Sequence, residues 1–306
     1  MQEINVMTFS VMAAKKQQMG LDGKAGLPGE PGWQVRREIT TKFLLAQQYD
    51  FFGLQHCYVD QYDCDLDAAR YFREQLEIYG VPYGIVNRSQ SEDPNKGDST
   101  PLYYRKDEWE IDPDEYGFQW FDAPYPPPSA GGGGGRLFVY GLFHSKVPWG
   151  GRGRVSVYVY NTRLRNQHSD LLDEYRVKCV DQLFRHIAAR DVNAPVVVLA
   201  DTNCKKVDCL TDRFLFGQSV DVNGRVYVPA VTMQDAYVHV NPGSHGQVST
   251  QHGYKTAGSI KGRERNDRVL VSRGVSVARS RIVTVNEYGM YPSYHYPVDA
   301  KLVLLQ

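Results

Sequence analysis

The 306-residue chain has no excess of either charge and no long apolar run. Its 35 lysines and arginines balance 35 aspartates and glutamates, so the formal net charge is zero. This balance does not call for a polyanionic partner, although a local basic patch remains compatible with it. No stretch reaches the ~20 consecutive apolar residues that a membrane-spanning helix needs. The chain starts directly with the strand-like Ile4–Phe9, which predicts no cleaved targeting peptide and no membrane partner.

Cysteine is scarce and odd in number. The five cysteines are Cys57, Cys64, Cys179, Cys204 and Cys209. Their spacing matches neither a zinc ribbon nor a disulfide framework. We therefore expect free thiols in a soluble, intracellular protein, with the compartment left open.

Strand-like segments outnumber helical ones. Amphipathic patterns predict helices at Trp33–Tyr49, Asp67–Tyr79 and Asp170–Arg190, and the segments between them alternate or read as short strands. This order favours an α/β protein in which two mixed sheets face each other with helices outside. The proline- and glycine-rich tract Pro124–Gly135 cannot pack a core, so we expect a loop insertion at about 122–136 within a single domain spanning 1–306.

The segment Val196–Asn203 is the most informative in the chain. Three valines and a leucine predict a strand that is buried on both faces. The strand ends in Asp201 and Asn203, which on an extended backbone would leave the same face. Polar groups at such a strand end usually form a site in α/β proteins. The same Asp-Thr-Asn would also suit a simple turn, because both residue types bond the local backbone.

Eight short motifs follow one another along the chain. They read Met-Thr-Phe, Phe-Gly-Leu-Gln, Tyr-Tyr-Arg-Lys-Asp, Gly-Phe-Gln-Trp, Tyr-Asn-Thr-Arg-Leu, Leu-Ala-Asp-Thr-Asn, Arg-Glu-Arg-Asn-Asp and Ser-Tyr-His-Tyr-Pro-Val. In this order, from about Ile4 to Leu304, the chain resembles the endonuclease/exonuclease/phosphatase family, which has a deoxyribonuclease-like fold. The resemblance implies a four-layer α/β sandwich of two mixed β-sheets flanked by helices. It also implies hydrolysis of phosphate esters with Mg²⁺ or a similar ion.

Four positions that the family uses are retained. The resemblance implies that Asp201 orients the attacking water and that Asn203 contacts the phosphate. It further implies that Asp267 hydrogen-bonds and orients His295.

Four other positions of the family pattern have changed chemical type. Ser10 replaces an asparagine, His56 the metal-binding glutamate, Arg163 the phosphate-facing histidine, and Tyr294 an aspartate. Imidazole is a poor ligand for Mg²⁺, and a phenol is neutral near pH 7. Because one catalytic group is commonly worth ~10²–10⁴ in rate, we predict an inactive homologue, a pseudoenzyme that needs no cofactor. Such a protein would serve as a structural or binding component of a protein or ribonucleoprotein assembly.

Two other functions remain open. An active metal-dependent phosphodiesterase or phosphatase would rebuild its site from Asp201, Asn203, His56 and His295 and use Mg or Mn, with Zn²⁺ as an alternative on His56, Asp201 and His295. A non-hydrolytic protein would bind a phosphorylated ligand through Arg163 and Asn203. We also expect Arg163 to pair with Asp201, filling the position of a metal charge.

The segment Lys255–Arg268 is rich in basic residues. It has two interpretations, a contact with phosphate or RNA and a solvated loop.

Overall fold

A computed structural model describes residues 1–12, 30–60, 67–90, 93, 96–122, 136–148, 153–166, 170–190, 194–204, 208–244, 247–254, 258–262 and 264–305. The insertion predicted at about 122–136 lies almost entirely outside the described residues, and so do Cys64, Lys255 and Arg263. The elements in chain order are β1 (Gln2–Ser10), α1 (Trp33–Gln47), β2 (Phe51–Gln55), β3 (Cys57–Asp60), α2 (Ala68–Ile78), β4 (Tyr83–Val86), β5 (Lys96–Ser99), β6 (Leu102–Arg105), β7 (Trp109–Trp120), β8 (Leu137–Ser145), β9 (Ser156–Arg163), α3 (Asp170–Ala188), β10 (Val196–Asp201), α4 (Leu210–Leu215), β11 (Val220–Val222), β12 (Arg225–Tyr227), β13 (Gln234–Asp235), α5 (Ala236–Val240), β14 (Asp267–Val271), β15 (Val275–Ile282) and β16 (Val298–Leu304).

Two six-stranded sheets carry the fold. The strand order is β15-β16-β1-β2-β6-β4 in the first sheet and β13-β14-β10-β9-β8-β7 in the second. Each sheet is mixed, because β1 is parallel to β2 and antiparallel to β16. In the second sheet, β10 is parallel to β9 and antiparallel to β14. These sheets confirm the α/β class and the mixed pairing that the sequence predicts.

The side chains of β10 show why this strand is apolar throughout. Val197 and Leu199 join the core between the two sheets, with Val6 and Phe51 of the first sheet. Val196 and Val198 point the other way, into the core beneath α3. A third core packs α1 and α2 on the outer face of the first sheet. Helix, sheet, sheet and helix therefore form the four layers of the predicted sandwich.

A buried asparagine connects the two sheets just below the strand ends. The Asn161 Nδ2 of β9 donates to the carbonyl oxygens of Leu54 (3.0 Å) and Pro101 (2.8 Å). Its Oδ1 accepts a 2.7 Å hydrogen bond from Gln55 Nε2. Since Gly53 has no side chain, this amide can lie directly against the β2 backbone; a Cβ there would be 2.5 Å from Asn161 Oδ1. Asn161 thus fixes β2 and β9 relative to each other.

The sequence pattern predicts one strand at Phe51–Val59, whereas the structure contains two. The strand β2 ends at Gln55, and His56 has a φ of +51°, in the left-handed region. The chain then turns into β3, which pairs with the unpredicted strand β5. Within the described parts of the chain, no helix is long and apolar enough to cross a membrane.

Candidate functional site

Sheet register brings three charged residues side by side. Asp201, the last residue of β10, pairs with Arg163 on parallel β9 and with Asp267 on antiparallel β14. Residues directly opposite each other in a ladder present their side chains on the same face. The end of the second sheet therefore collects two carboxylates and one guanidinium, and all three residues are buried.

Arg163 and Asp201 form an ion pair, as the sequence predicts. Arg163 Nε lies 3.3 Å from Asp201 Oδ2, and the two side chains are 3 % and 2 % exposed. Such a pair must satisfy both charges internally, because removing either partner leaves an uncompensated buried charge. The Arg163 guanidinium thus contacts the Oδ2 oxygen of Asp201.

Asn203 lies beyond the strand, which corrects the sequence-based geometry. The residue has a φ of +50°, so Asp201 and Asn203 are not two positions of one extended segment. The backbone N–H of Asn203 donates to Asp201 Oδ1 (3.1 Å), and Asn203 Nδ2 donates to the Leu164 carbonyl oxygen (2.7 Å). The first contact is the local side-chain bond of an Asx turn. The turn interpretation therefore describes this segment correctly, and both oxygens of Asp201 have partners.

His295 and Asp267 form a second buried pair. His295 Nδ1 lies 2.7 Å from Asp267 Oδ2, and both side chains are at most 2 % exposed. Burial alone would disfavour the imidazolium, but the charge of Asp267 and the hydrogen bond to it raise the pKa of His295. The carboxylate that the resemblance implies for orienting His295 is in place.

Ser10 and Tyr294 contribute no charge to the site. Ser10 is fully buried, and its carbonyl oxygen accepts a 2.6 Å hydrogen bond from Ser293 Oγ. The ring of Tyr294 packs against His295, with centroids 4.7 Å apart, and against Tyr254 at 6.4 Å. Burial raises the pKa of Tyr294 above its ordinary value, so the phenol stays neutral.

His56 is connected to the site by Asp98, a residue that the sequence analysis does not identify. His56 Nε2 lies 4.0 Å from Asp98 Oδ2, and its Nδ1 contacts the Met12 sulfur. The same Asp98 oxygen lies 3.8 Å from Arg163 Nη1. Asp98 belongs to the short strand β5, whose Lys-Gly-Asp-Ser sequence gives no strand signal. His56 and Arg163 thus share one carboxylate.

A second arginine, also missed from sequence, lies at this end of the fold. Arg136 directly precedes β8, and its Nη1 donates to Gln90 Oε1. Burial, and then the charge of Arg163, lower the pKa of Arg136 to about 9, with Asp98 and Asp201 acting in the opposite direction. The charges of Arg163, Asp98 and Asp201 thus all act on Arg136.

The residues present do not fit the magnesium or manganese ion of a phosphoesterase. Asp201, Asp267 and His295 have ligand atoms within 4.8 Å of one another, and His56 is not part of this group. Mg²⁺ prefers unengaged oxygen ligands and keeps several waters. Here Asp201 contacts the Arg163 cation and Asp267 contacts His295, so a dication would meet positive charge on two sides. The sequence-based alternative adds His56 to Asp201 and His295, whereas the group of neighbouring ligand atoms contains Asp267 in place of His56.

The basic segment near Asp267 is partly internal. Arg265 donates to Asp235 Oδ1 at 3.0 Å, and Arg268 Nη2 donates to Asp212 Oδ1 at 2.5 Å. Both arginines are at most 5 % exposed. These two cations are satisfied inside the protein and are not available to phosphate or RNA, whereas Lys261 is exposed.

The cysteine prediction is wrong for two of the five residues. Cys204 and Cys209 form a disulfide between the end of the site segment and the start of α4. Cys204 lies after β10 and Cys209 before α4, and their spacing alone does not reveal the bond. Cys57 and Cys179 are free and buried.

No protein-family sequence model matches the chain, and no curated protein matches it in sequence. Solved structures do match it. The endonuclease/exonuclease/phosphatase from Bacteroides vulgatus is 20 % identical with a TM-score of 0.71, and the match covers 99 % of this chain and 100 % of that one. The mannosyl-6-phosphatase from Bacteroides thetaiotaomicron is 18 % identical with a TM-score of 0.67, covering 98 % and 100 %.

The similarity extends beyond bacterial proteins. The human Nocturnin catalytic domain, solved with a bound sulfate, is 15 % identical with a TM-score of 0.66, and the match covers 99 % of this chain and 94 % of that one. All three matches span essentially the whole chain. The protein therefore has the fold of the endonuclease/exonuclease/phosphatase proteins.

Proposed function

We propose that this chain is a catalytically inactive relative of metal-dependent phosphoesterases and acts as a structural or binding component of a protein or ribonucleoprotein assembly. The buried ion pair of Arg163 with Asp201 carries the proposal. A phosphoesterase needs a dication that binds substrate oxygen and exchanges ligands. A guanidinium is a donor only and cannot activate a coordinated water. Arg163 supplies charge at this position without supplying the metal chemistry.

The remaining groups do not replace that chemistry. His56 and Tyr294 stand where the family pattern has carboxylates. The imidazole of His56 is a poor ligand for a hard cation, and the phenol of Tyr294 is neutral near pH 7. The pair of His295 with Asp267 remains, and its hydrogen bond holds β14 to the segment before β16. We assign this pair a structural role.

Turnover measurements test the proposal. The purified chain is assayed with a generic phosphodiester and a generic phosphomonoester in Mg²⁺, Mn²⁺ and Zn²⁺, beside the Asp201→Ala variant. We expect no difference in turnover between the wild-type chain and the Asp201→Ala variant. Metal-dependent turnover that Asp201→Ala abolishes would overturn the proposal and favour an active phosphoric ester hydrolase.

A second candidate is a protein that binds a phosphorylated ligand without hydrolysing it. Arg163 Nη1 is buried and makes no hydrogen bond within the described structure; its nearest carboxylate oxygen is 3.8 Å away. Arg136 adds a second guanidinium, and arginine binds phosphate oxygens well. Nocturnin, solved with a bound sulfate, is a protein of this fold that holds a tetrahedral anion.

Calorimetric titration with inorganic phosphate and with a phosphomonoester tests this candidate. Binding that is lost in Arg163→Ala and kept in Arg154→Ala would favour it, because Arg154 is exposed and pairs with Glu110. Equal behaviour of both variants would exclude a role for Arg163. The identity of a protein or RNA partner requires a pull-down with the full chain, and the intracellular location stays a prediction.

A further inference from the structure

The disulfide Cys204–Cys209 joins two segments that hold the candidate site. Cys204 directly follows Asn203, and its backbone N–H donates to Thr202 Oγ1 (3.4 Å). Thr202 in turn donates from its N–H and its hydroxyl to the Asn266 carbonyl oxygen, at 2.7 and 2.8 Å. The Cys204 end therefore anchors the segment of Asp201 and Asn203 against the start of β14.

The other end of the disulfide, Cys209, lies at the start of α4. Cys209 is the N-cap residue, and its Sγ accepts from the Asp212 N–H (3.4 Å). The Asp212 carboxylate binds Arg268, the neighbour of Asp267 in β14. Short series of covalent and hydrogen bonds therefore connect Cys204 to Asp201 and Cys209 to Asp267, the two carboxylates of the site.

The two sulfurs differ in access. Cys204 is 1 % exposed, whereas Cys209 is partly exposed. The unpaired Cys57 and Cys179 are fully buried, and burial raises the pKa of both thiols, to about 12 for Cys179. External thiols can therefore reach Cys209 but not Cys57 or Cys179.

A carboxylate near the two sulfurs is engaged elsewhere. Asp173 has an oxygen within 4.8 Å of both sulfurs, but its carboxylate accepts hydrogen bonds from the backbone N–H groups of Leu210 and Thr211 and from the Thr211 hydroxyl. These hydrogen bonds disfavour a metal site at Asp173 and the two cysteines.

We propose that Cys204–Cys209 is a reversible thiol–disulfide modification site that holds Asn203 in its left-handed conformation. An external dithiol attacks Cys209 Sγ through its thiolate, the Cys204–Cys209 bond breaks, and Cys204 leaves as a thiolate that water protonates. The second external thiolate then attacks the mixed disulfide and releases Cys209. Two electrons pass from the dithiol, which becomes a disulfide. Opening the ring removes the covalent tether next to Asn203, so that only its hydrogen bonds to Asp201 and Leu164 then hold the left-handed conformation.

Hydrogen exchange on the full chain tests the proposal without any activity assay. The protein is incubated with oxidised or reduced dithiothreitol, free thiols are alkylated, and amide exchange is followed for residues 199–204. In the reduced state we expect alkylation of Cys204 and Cys209 and about tenfold faster exchange at Asn203 and Cys204. Cys57 and Cys179 should stay unmodified in both states.

The Cys209→Ser variant is the covalent control. It should exchange like the reduced wild-type protein under oxidising conditions. If this variant does not fold, the comparison of amide exchange in the two redox states of the wild-type chain still tests the proposal. Equal exchange in both states, alkylation of Cys204 and Cys209 under oxidising conditions, or reduction only on global unfolding would overturn the proposal.

Discussion

At the residue scale, Arg163 sets the charge next to Asp201. It lies on β9 next to Asp201, so the position at which the family pattern has a phosphate-facing histidine here places a cation against the carboxylate. The partner Asp98 reinforces this on the other side of the guanidinium. The positive charge of Arg163 is therefore balanced by carboxylates within the protein.

The coupling between Arg163 and Asp201 is measurable in a double-mutant cycle. Arg163→Met and Asp201→Asn should each lower the free energy of unfolding by about 3–5 kcal/mol, because each leaves a buried charge without its partner. The double variant should lose clearly less than the sum, since it removes both charges. Denaturant unfolding of the four proteins gives the interaction energy, and additive losses would contradict the ion pair.

Histidine protonation should destabilise the protein in mild acid. Burial lowers the pKa of His186 to about 4, helped by the charge of Arg190, and burial lowers the pKa of His252 to about 4 as well. In the unfolded chain both titrate near 6.5, so between these values the unfolded state binds more protons and stability falls as the pH falls. The raised pKa of His295 has the opposite sign: its contribution is complete below about pH 6.5 and is lost as the pH rises through the folded value.

The His186 contribution can be isolated with His186→Gln. Free energies of unfolding are measured from about pH 7 to about pH 5, where most carboxylates are still ionised. The variant should lose less stability over this interval than the wild-type protein. An unchanged slope would show that His186 is not kept neutral by its surroundings.

At the level of elements, the contact between β2 and β9 depends on the absence of a side chain at Gly53. We expect Gly53→Ala to lower the free energy of unfolding by about 1–3 kcal/mol, because its Cβ would force the Asn161 amide away from its three hydrogen bonds. Gly32→Ala is the control, since no atom lies within 4 Å of a Cβ there. Thermal unfolding compares the two, and equal effects would contradict the assigned contact.

Sequence pattern predicts those elements that bury a continuous apolar face. The helices α1 to α3 and the strands β1 and β10 begin and end within two residues of the predicted bounds. Elements stabilised by single polar contacts were missed: α5 depends on Asp235 as its N-cap, and α4 on Cys209. The break at His56 was also missed, because a left-handed residue leaves no periodic signal.

For the whole molecule, the site combines predicted and unpredicted residues. Asp201, Asp267 and His295 lie together, as the motif order implies, and Arg163 pairs as expected. Asp98 and Arg136 come from segments with no motif: Asp98 lies on β5, outside the two large sheets, and Arg136 precedes β8, the neighbour of β9. Sequence therefore gives the identity of the site but not the charges that surround it.

The central claim is that Arg163 excludes a dication from Asp201, and a Mn²⁺ titration followed by electron paramagnetic resonance tests it most directly. The wild-type chain is compared with the variant Ser10→Asn, His56→Glu, Arg163→His, Tyr294→Asp, which returns the four changed positions to the family pattern, with circular dichroism confirming that both are folded. We predict no saturable Mn²⁺ binding by the wild-type chain and saturable binding by the variant. Saturable binding by the wild-type chain that disappears in Asp201→Ala would contradict the account.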